Sequence, residues 1–233
     1  METKEKPLSR SEALLGAETL ARLEKMRIVV FGVGGVGSWC AECLVRTGAR
    51  QLTLVDDDVV AVSNLNRQDQ ATAQTLGVPK VEALRRRLLE IAPDAAIEAV
   101  QARYGESTAE RFSPERFDCA IDAIDSVVEK MLLITRFGAS SCALYSSMGA
   151  ALRLDPTRVR ISDFRKVEGD GLARALRQRF KREGVPVPRF QCVWSDEPPC
   201  EPPSGVRGSL MQVTGAFGLA LASLVVSSAS RSI

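Results

Sequence analysis

Ile28-Val29-Val30-Phe31-Gly32-Val33-Gly34-Gly35-Val36-Gly37, with a helical pattern opening at Ser38, sets a short apolar strand against a glycine-dense turn. Bare backbone at Gly32, Gly34, Gly35 and Gly37 lets a phosphate approach, and the N-terminus of the following helix favours its negative charge. The next strand, Gln51 to Val55, leads into Asp56, whose carboxylate can accept ribose hydroxyls. Glycines alone would make any tight strand-to-helix turn. Strand, turn, helix and acidic residue in this order make a nucleotide-binding βαβ unit.

Working outward, one helix is expected upstream over about Ser11 to Lys25, with Ser9 or Ser11 as its cap. Downstream, a polar loop runs to about Ala73, and Pro79 opens a helix that Pro93 stops near Ile91. A strand over Ala96–Val100, a helix near Ser107–Arg111, a strand over Phe117–Ala123, a helix over Val127–Ala139 and a strand over Ala143–Ser147 follow. Alternating strands and helices make a parallel sheet with ligands at the carboxyl ends of its strands. After Gly149 the pattern changes: strands at Arg158–Ile161 and Phe190–Trp194 flank a basic helix from Leu172 to Arg182. The expected fold is α/β: a Rossmann-like, mainly parallel sheet with helices on both faces, extended by C-terminal strands and a packed C-terminal helix. One domain over 1–233 is expected, with an N-terminal arm and helix (1–26), a nucleotide-binding half (27–150) and a substrate-side elaboration (151–233).

The chain has 233 residues, 31 Lys+Arg against 29 Asp+Glu, and no histidine. Near-neutral charge means that a nucleic-acid surface must be a local patch. Without imidazole, Ser-His and Cys-His nucleophile pairs and histidine metal sites are excluded. The charged start Met-Glu-Thr-Lys-Glu-Lys has no apolar signal core, which points to the cytoplasm and to six reduced cysteines. Cys40 and Cys43 form a CxxC inside a helix, with no second pair to complete a zinc site, so they read as packing. The apolar run Leu210–Ala229 contains Gln212, Thr214, glycines and serines, and suits a core helix better than a membrane span.

Three groups separate the nucleotide chemistries. Ser63-Asn64-Leu65-Asn66-Arg67-Gln68 gathers amide and guanidinium donors, with Arg67 a planar fork for phosphate oxygens; alone it could be a hydrated loop. Lys80, in the first turn of a helix, opposes the dipole at a cost of about 0.3–1 kcal/mol, which a bound anion would offset. It could equally be a solvated surface lysine. Asp122-Ala-Ile-Asp125-Ser126 ends a strand where ligands sit. Asp125 fits a magnesium ligand, because a carboxylate beside polyphosphate needs a cation between them; its alternative role is a helix cap. Together they favour Mg-ATP over NAD. No Gly-Lys-Ser/Thr follows the glycines, so this is not a Walker A loop.

Gly-x-Gly-Gly-x-Gly, Asp56, Ser-Asn-x-x-Arg-Gln, Gly77-x-Pro-Lys80 and Asp122-x-x-Asp125 together resemble the ubiquitin-activating-enzyme-like adenylating proteins. The resemblance implies that a carboxylate attacks the α-phosphate of Mg-ATP, giving an acyl adenylate and pyrophosphate. It implies that Asp56 holds the ribose and Asn64, Arg67 and Lys80 the phosphates, with Asp125 on magnesium. Gly32, Gly34, Gly35, Gly37, Asn66, Gln68 and Ser126 complete the expected nucleotide contacts. Ser9-Arg10-Ser11 with Leu14-Leu15-Gly16 is similar to the family's N-terminal arginine motif, implying that Arg10 reaches the ATP of a partner subunit in a homodimer. Pro7 stands where that motif usually has its first arginine.

Ser146-Ser-Met-Gly-Ala150, Arg153-Leu-Asp-Pro-Thr157, Leu172-Ala-Arg174 and Val193-Trp-Ser-Asp-Glu-Pro198 are similar to the branch that dehydrates tRNA N6-threonylcarbamoyladenosine. So is Gly208-Ser209 with Gly215-Ala-Phe-Gly-Leu219. Val167 and Gly171 depart from that branch's usual threonine and proline. The alternatives are an adenylyltransferase for the Gly-Gly end of a sulfur-carrier protein, or a non-catalytic nucleotide-binding partner of a sulfur-transfer protein. For tRNA phosphates, Arg85-Arg86-Arg87 and Arg174, Arg177, Arg179, Lys181 and Arg182 offer basic helical clusters. A solvated face explains either cluster equally well.

Overall fold

A computed structural model describes residues 7–230. Strands β1 (Arg27–Phe31), β2 (Gln51–Asp56), β3 (Ala96–Gln101), β4 (Cys119–Asp122), β5 (Ala143–Ser147), β6 (Val159–Asp163) and β7 (Gln191–Ser195) form one sheet in the order β3-β2-β1-β4-β5-β7-β6. All neighbours pair in parallel except β6 with β7 at the far edge, which are antiparallel. The expected Rossmann-like sheet and its C-terminal extension are present.

β1 lies centrally, and its apolar run buries both faces as a parallel strand must. Ile28 and Val30 face one core with helices α3 (Gly37–Thr47), α4 (Lys80–Ile91) and α7 (Met211–Ser230). Val29 and Phe31 face the other, with α5 (Val127–Gly138) and α6 (Gly171–Glu183). There Phe31 meets Tyr104, Phe112 and Phe137 edge-on at 4.8, 5.5 and 5.4 Å between ring centres. Among the described residues, α7 is the one helix long and apolar enough to cross a membrane. Its Val213, Phe217, Leu221 and Val225 are buried in the core beside α3.

Two expectations need correction. The single N-terminal helix is two, α1 (Ser9–Leu15) and α2 (Ala17–Lys25), because Gly16 between them takes φ +80°. Neither Ser9 nor Ser11 caps it: Leu8 holds the cap position without a side-chain bond. The helix expected near Ser107–Arg111 is two short 3-10 turns, Ala109–Phe112 and Pro114–Arg116. Pro114 cannot donate an amide hydrogen, so an α-helix does not run through it.

Candidate active site

The chain leaves β1 toward β2 and β3 on one side and returns through β4 and β5 on the other. That reversal opens a crevice at the carboxyl ends of β1 and β4. Gly32 takes φ +82°, and a Cβ there would lie 2.8 Å from the Ala123 carbonyl oxygen at the end of β4. A Cβ on Gly37 would sit 1.9 Å from the Gly32 carbonyl oxygen. The turn thus closes on itself and on β4, and no side chain fits at either position.

The polar loop lies against this turn. A Cβ on Gly35 would stand 3.2 Å from Arg67 Cγ, and one on Gly34 would stand 3.7 Å from Gln68 Nε2. Trp39 Nε1, on α3, donates to the Arg67 carbonyl at 2.9 Å. Arg67 Nη1 donates to the Ser63 carbonyl at 2.8 Å and to Asn66 Oδ1 at 2.9 Å. Asn66 Nδ2 turns outward to the Ser209 carbonyl at 2.9 Å. Asn64 is buried and its Oδ1 accepts from Ala61 N at 2.9 Å, shaping the loop. Gln68 is also buried, and its Oε1 has no hydrogen-bond partner among the described residues.

Asp56 joins strand to turn. One carboxylate oxygen accepts from Val33 N at 2.8 Å and the other from Asp58 N at 2.9 Å. Burial pushes its pKa up, against the pull of Lys80 and these two amides. Lys80 is itself buried, with Nζ 2.6 Å from Asp58 Oδ2. The cation at the start of α4 therefore has a carboxylate partner within the chain, and a bound anion is not the only group that offsets its position. Asp58 was not among the expected residues; its acidic neighbours Asp56 and Asp57 gave the only hint.

Across the crevice, Asp122 and Lys130 form an ion pair at 2.8 Å with neither side chain exposed. Ser146 Oγ donates to Asp122 at 2.7 Å, and Lys130 Nζ also donates to the Ile124 carbonyl at 2.8 Å. This network, hidden from a sequence reading except as a lysine in an apolar helix, fixes the start of the loop that carries Asp125. Asp125 itself is exposed. Ser126 stands at the N-cap of α5 without a side-chain cap bond, its hydroxyl instead paired with Glu129. Asp125 is not the cap.

Arg10 is not brought to this crevice. It lies exposed on α1, whose flanking Leu8 packs 3.4 Å from the Cβ position of Gly48, beyond the C-terminal end of α3. The basic clusters are partly consumed by structure. Arg87 Nε bonds Glu42 at 2.8 Å and Asp69 at 3.0 Å, and Arg85 Nε donates to the Ile97 carbonyl at 3.0 Å. Arg177 donates to the carbonyls of Phe164 and Val167 at 2.9 and 2.6 Å, while Arg179 pairs with Glu183. Arg86, Arg174 and Lys181 remain exposed. Cys40 is buried and burial pushes its thiol pKa well up, so the CxxC is packing.

A switch-point crevice, a glycine turn and a polar loop folded onto it define a nucleotide-binding α/β protein. Residues 8–232 match the ThiF family, and the chain belongs to that family. It is 39% identical over 191 residues to tRNA threonylcarbamoyladenosine dehydratase of Bacillus subtilis, covering 82% of this chain and 75% of the relative. It is 33% identical over 158 residues to molybdopterin-synthase adenylyltransferase of Escherichia coli, covering 68% and 61%. Among solved structures, E. coli tRNA N6-threonylcarbamoyladenosine dehydratase in complex with AMP is similar with TM-score 0.92 and 31% identity, over 98% of this chain and 96% of that one. The same enzyme in complex with ATP gives TM-score 0.91.

Proposed function

We propose that this chain is an ATP-dependent dehydratase acting on tRNA N6-threonylcarbamoyladenosine. The threonyl carboxylate attacks the α-phosphorus of ATP, pyrophosphate leaves, and an acyl adenylate forms. The ureido group of the same nucleoside then attacks the activated carbonyl carbon and closes a ring. AMP departs with one former carboxylate oxygen, which accounts for the formal loss of water. Both nucleophiles belong to the substrate, and holding them together replaces a protein nucleophile. A chain without histidine can therefore perform both steps.

What the protein must supply is charge stabilisation and alignment. Asp56 would hold the ribose, and Asn64, Arg67 and Lys80 the phosphates beside the glycine turn, with Gln68 at its edge. Asp125 fits magnesium: its carboxylate is exposed at the crevice and no hydrogen bond or ion pair among the described residues engages it. Magnesium usually takes one or two carboxylates plus phosphate oxygens, and would neutralise charge on the triphosphate. Arg10 would enter from a partner subunit of a homodimer, in the cytoplasm where tRNA is found.

The observation that carries this reading is the extent of the likeness to the dehydratases. It runs through the substrate-side half as well as the nucleotide half. Incubation with ATP, magnesium and tRNA bearing the modified nucleoside should release AMP and pyrophosphate and convert the nucleoside to its cyclic form, read by mass spectrometry. AMP release that instead requires a Gly-Gly-ended carrier protein would replace this reading with carrier adenylation. ATP binding without pyrophosphate exchange on either substrate would make the chain a nucleotide-binding partner without turnover. Calorimetry should find Mg-ATP bound and NAD not.

A further inference from the structure

The segment 198–210, between β7 and α7, is fastened at both ends to one residue. Leu152 donates its amide to the Gly208 carbonyl at 3.0 Å and accepts from Cys200 N at 2.9 Å. To do so Leu152 takes φ +63°, the one non-glycine residue with positive φ among those described. A leucine in that region is strained by roughly 1–3 kcal/mol, and surrounding bonds must hold it there. Its neighbours reinforce the grip. The amides of Leu154 and Asp155 both donate to the Glu197 carboxylate at 3.0 Å, and Arg153, 3% exposed, bonds the Glu197 carbonyl. The strap's middle, including Arg207, is exposed.

A third tie leaves the strap in the opposite direction. Asn66 Nδ2 donates to the Ser209 carbonyl, next to Gly208, while Asn66 Oδ1 accepts from Arg67 Nη1. A single amide thus touches both the arginine packed on the glycine turn and the strap of the substrate half. One amide hydrogen faces the strap and the amide oxygen faces Arg67, so the side chain bridges the two. We propose that Asn66 is a positioning residue: when ATP phosphates fix the Arg67 guanidinium, Asn66 holds the strap in place for the acceptor nucleoside. The acceptor part of this rests on the dehydratase reading, but the tie between nucleotide and strap does not.

Trypsin cleavage after Arg207 reads the strap with ATP alone. Saturating Mg-ATP should slow cleavage of the wild type about fivefold, the low end of ordinary coupling between sites. In Asn66→Ala, saturating Mg-ATP should leave the cleavage rate unchanged. Leu152→Pro, which cannot reach a positive φ or donate an amide, should give fast cleavage with or without ATP. With modified tRNA, Asn66→Ala should raise KM for tRNA about fivefold more than it lowers kcat. Equal protection of Arg207 by ATP in the wild type and Asn66→Ala would overturn the inference, as would a wild type that ATP does not protect. A protein that shows ATP protection through Asn66 and yet no turnover of tRNA would leave the tie standing and remove the dehydratase reading instead.

Discussion

At the scale of single residues, the crevice separates groups that shape it from groups left free for a ligand. Asp122 and Lys130 satisfy each other in the interior, so Asp125 can stand exposed without loosening the loop. Asp125→Ala should therefore leave the melting temperature unchanged and lower AMP formation by roughly a hundredfold or more, the scale of deleting one charge-stabilising group. Near-normal turnover at saturating magnesium would show that it has no part in catalysis. Asp69 is a different kind of residue. Its carboxyl is pushed up to about 7 by burial and by the adjacent Glu42, with Arg87 pulling the other way. An acid whose folded pKa is raised binds its proton more tightly folded than unfolded, so its contribution to stability falls as pH rises from about 4 to about 7. Asp69→Asn keeps the neutral form at every pH. The melting temperature of this variant relative to the wild type should thus climb between pH 5 and pH 8, measured by calorimetry. A difference that stays flat would mean that Arg87, together with Arg46, whose Nε donates to Glu42 at 2.7 Å, neutralises the pair throughout.

At the scale of elements, α3 and α7 pack backbone to backbone. A Cβ on Gly218 would lie 2.5 Å from the Val36 carbonyl oxygen and 2.9 Å from Cys40 N, neither of which can swing away. Gly218→Ala should cost about 1–3 kcal/mol as the helices separate, seen as a lower urea midpoint. Gly171→Ala on α6, where nothing lies within 4 Å of the new carbon, is the control and should be neutral or better. The elements themselves were largely legible in the sequence, because Ile28–Phe31 of β1 is an apolar run that must be covered on both sides and strands alternate with helices along the chain. The start of α4 after Pro79 and its stop at Ile91, ahead of Pro93, were legible from the local chemistry of proline. What the sequence hid was pairing across distance. Lys80 opposes the dipole of its own helix, but only the fold shows Asp58 beside it; Arg85 and Arg87 look like a basic patch until Glu42, Asp69 and the Ile97 carbonyl claim them. The break at Gly16 was hidden for another reason: glycine permits the left-handed conformation without requiring it.

At the scale of the whole molecule, the proposed role of Arg10 bears on how many subunits would make one active site. α3 spans 11 residues, about 16 Å, from the glycine turn at its N-terminus to Gly48 at its C-terminus, and Leu8 packs at that far end. An exposed arginine two residues on from Leu8 is poorly placed to reach phosphates at the glycine turn of its own chain. On the same helix Leu14 is 84% exposed, an apolar side chain that a second subunit would cover. A two-fold dimer in which each α1 reaches the other's crevice meets both observations. The test is to mix Arg10→Ala subunits with Asp125→Ala subunits, each inactive alone. A mixed dimer then holds one crevice with its own Asp125 and the partner's intact Arg10, and a second crevice lacking both. With equal amounts and free exchange, half the dimers are mixed, so about a quarter of wild-type turnover should return. Mixtures no more active than either variant, with exchange verified by light scattering or labelled subunits, would mean that Arg10 serves its own chain or has no catalytic part.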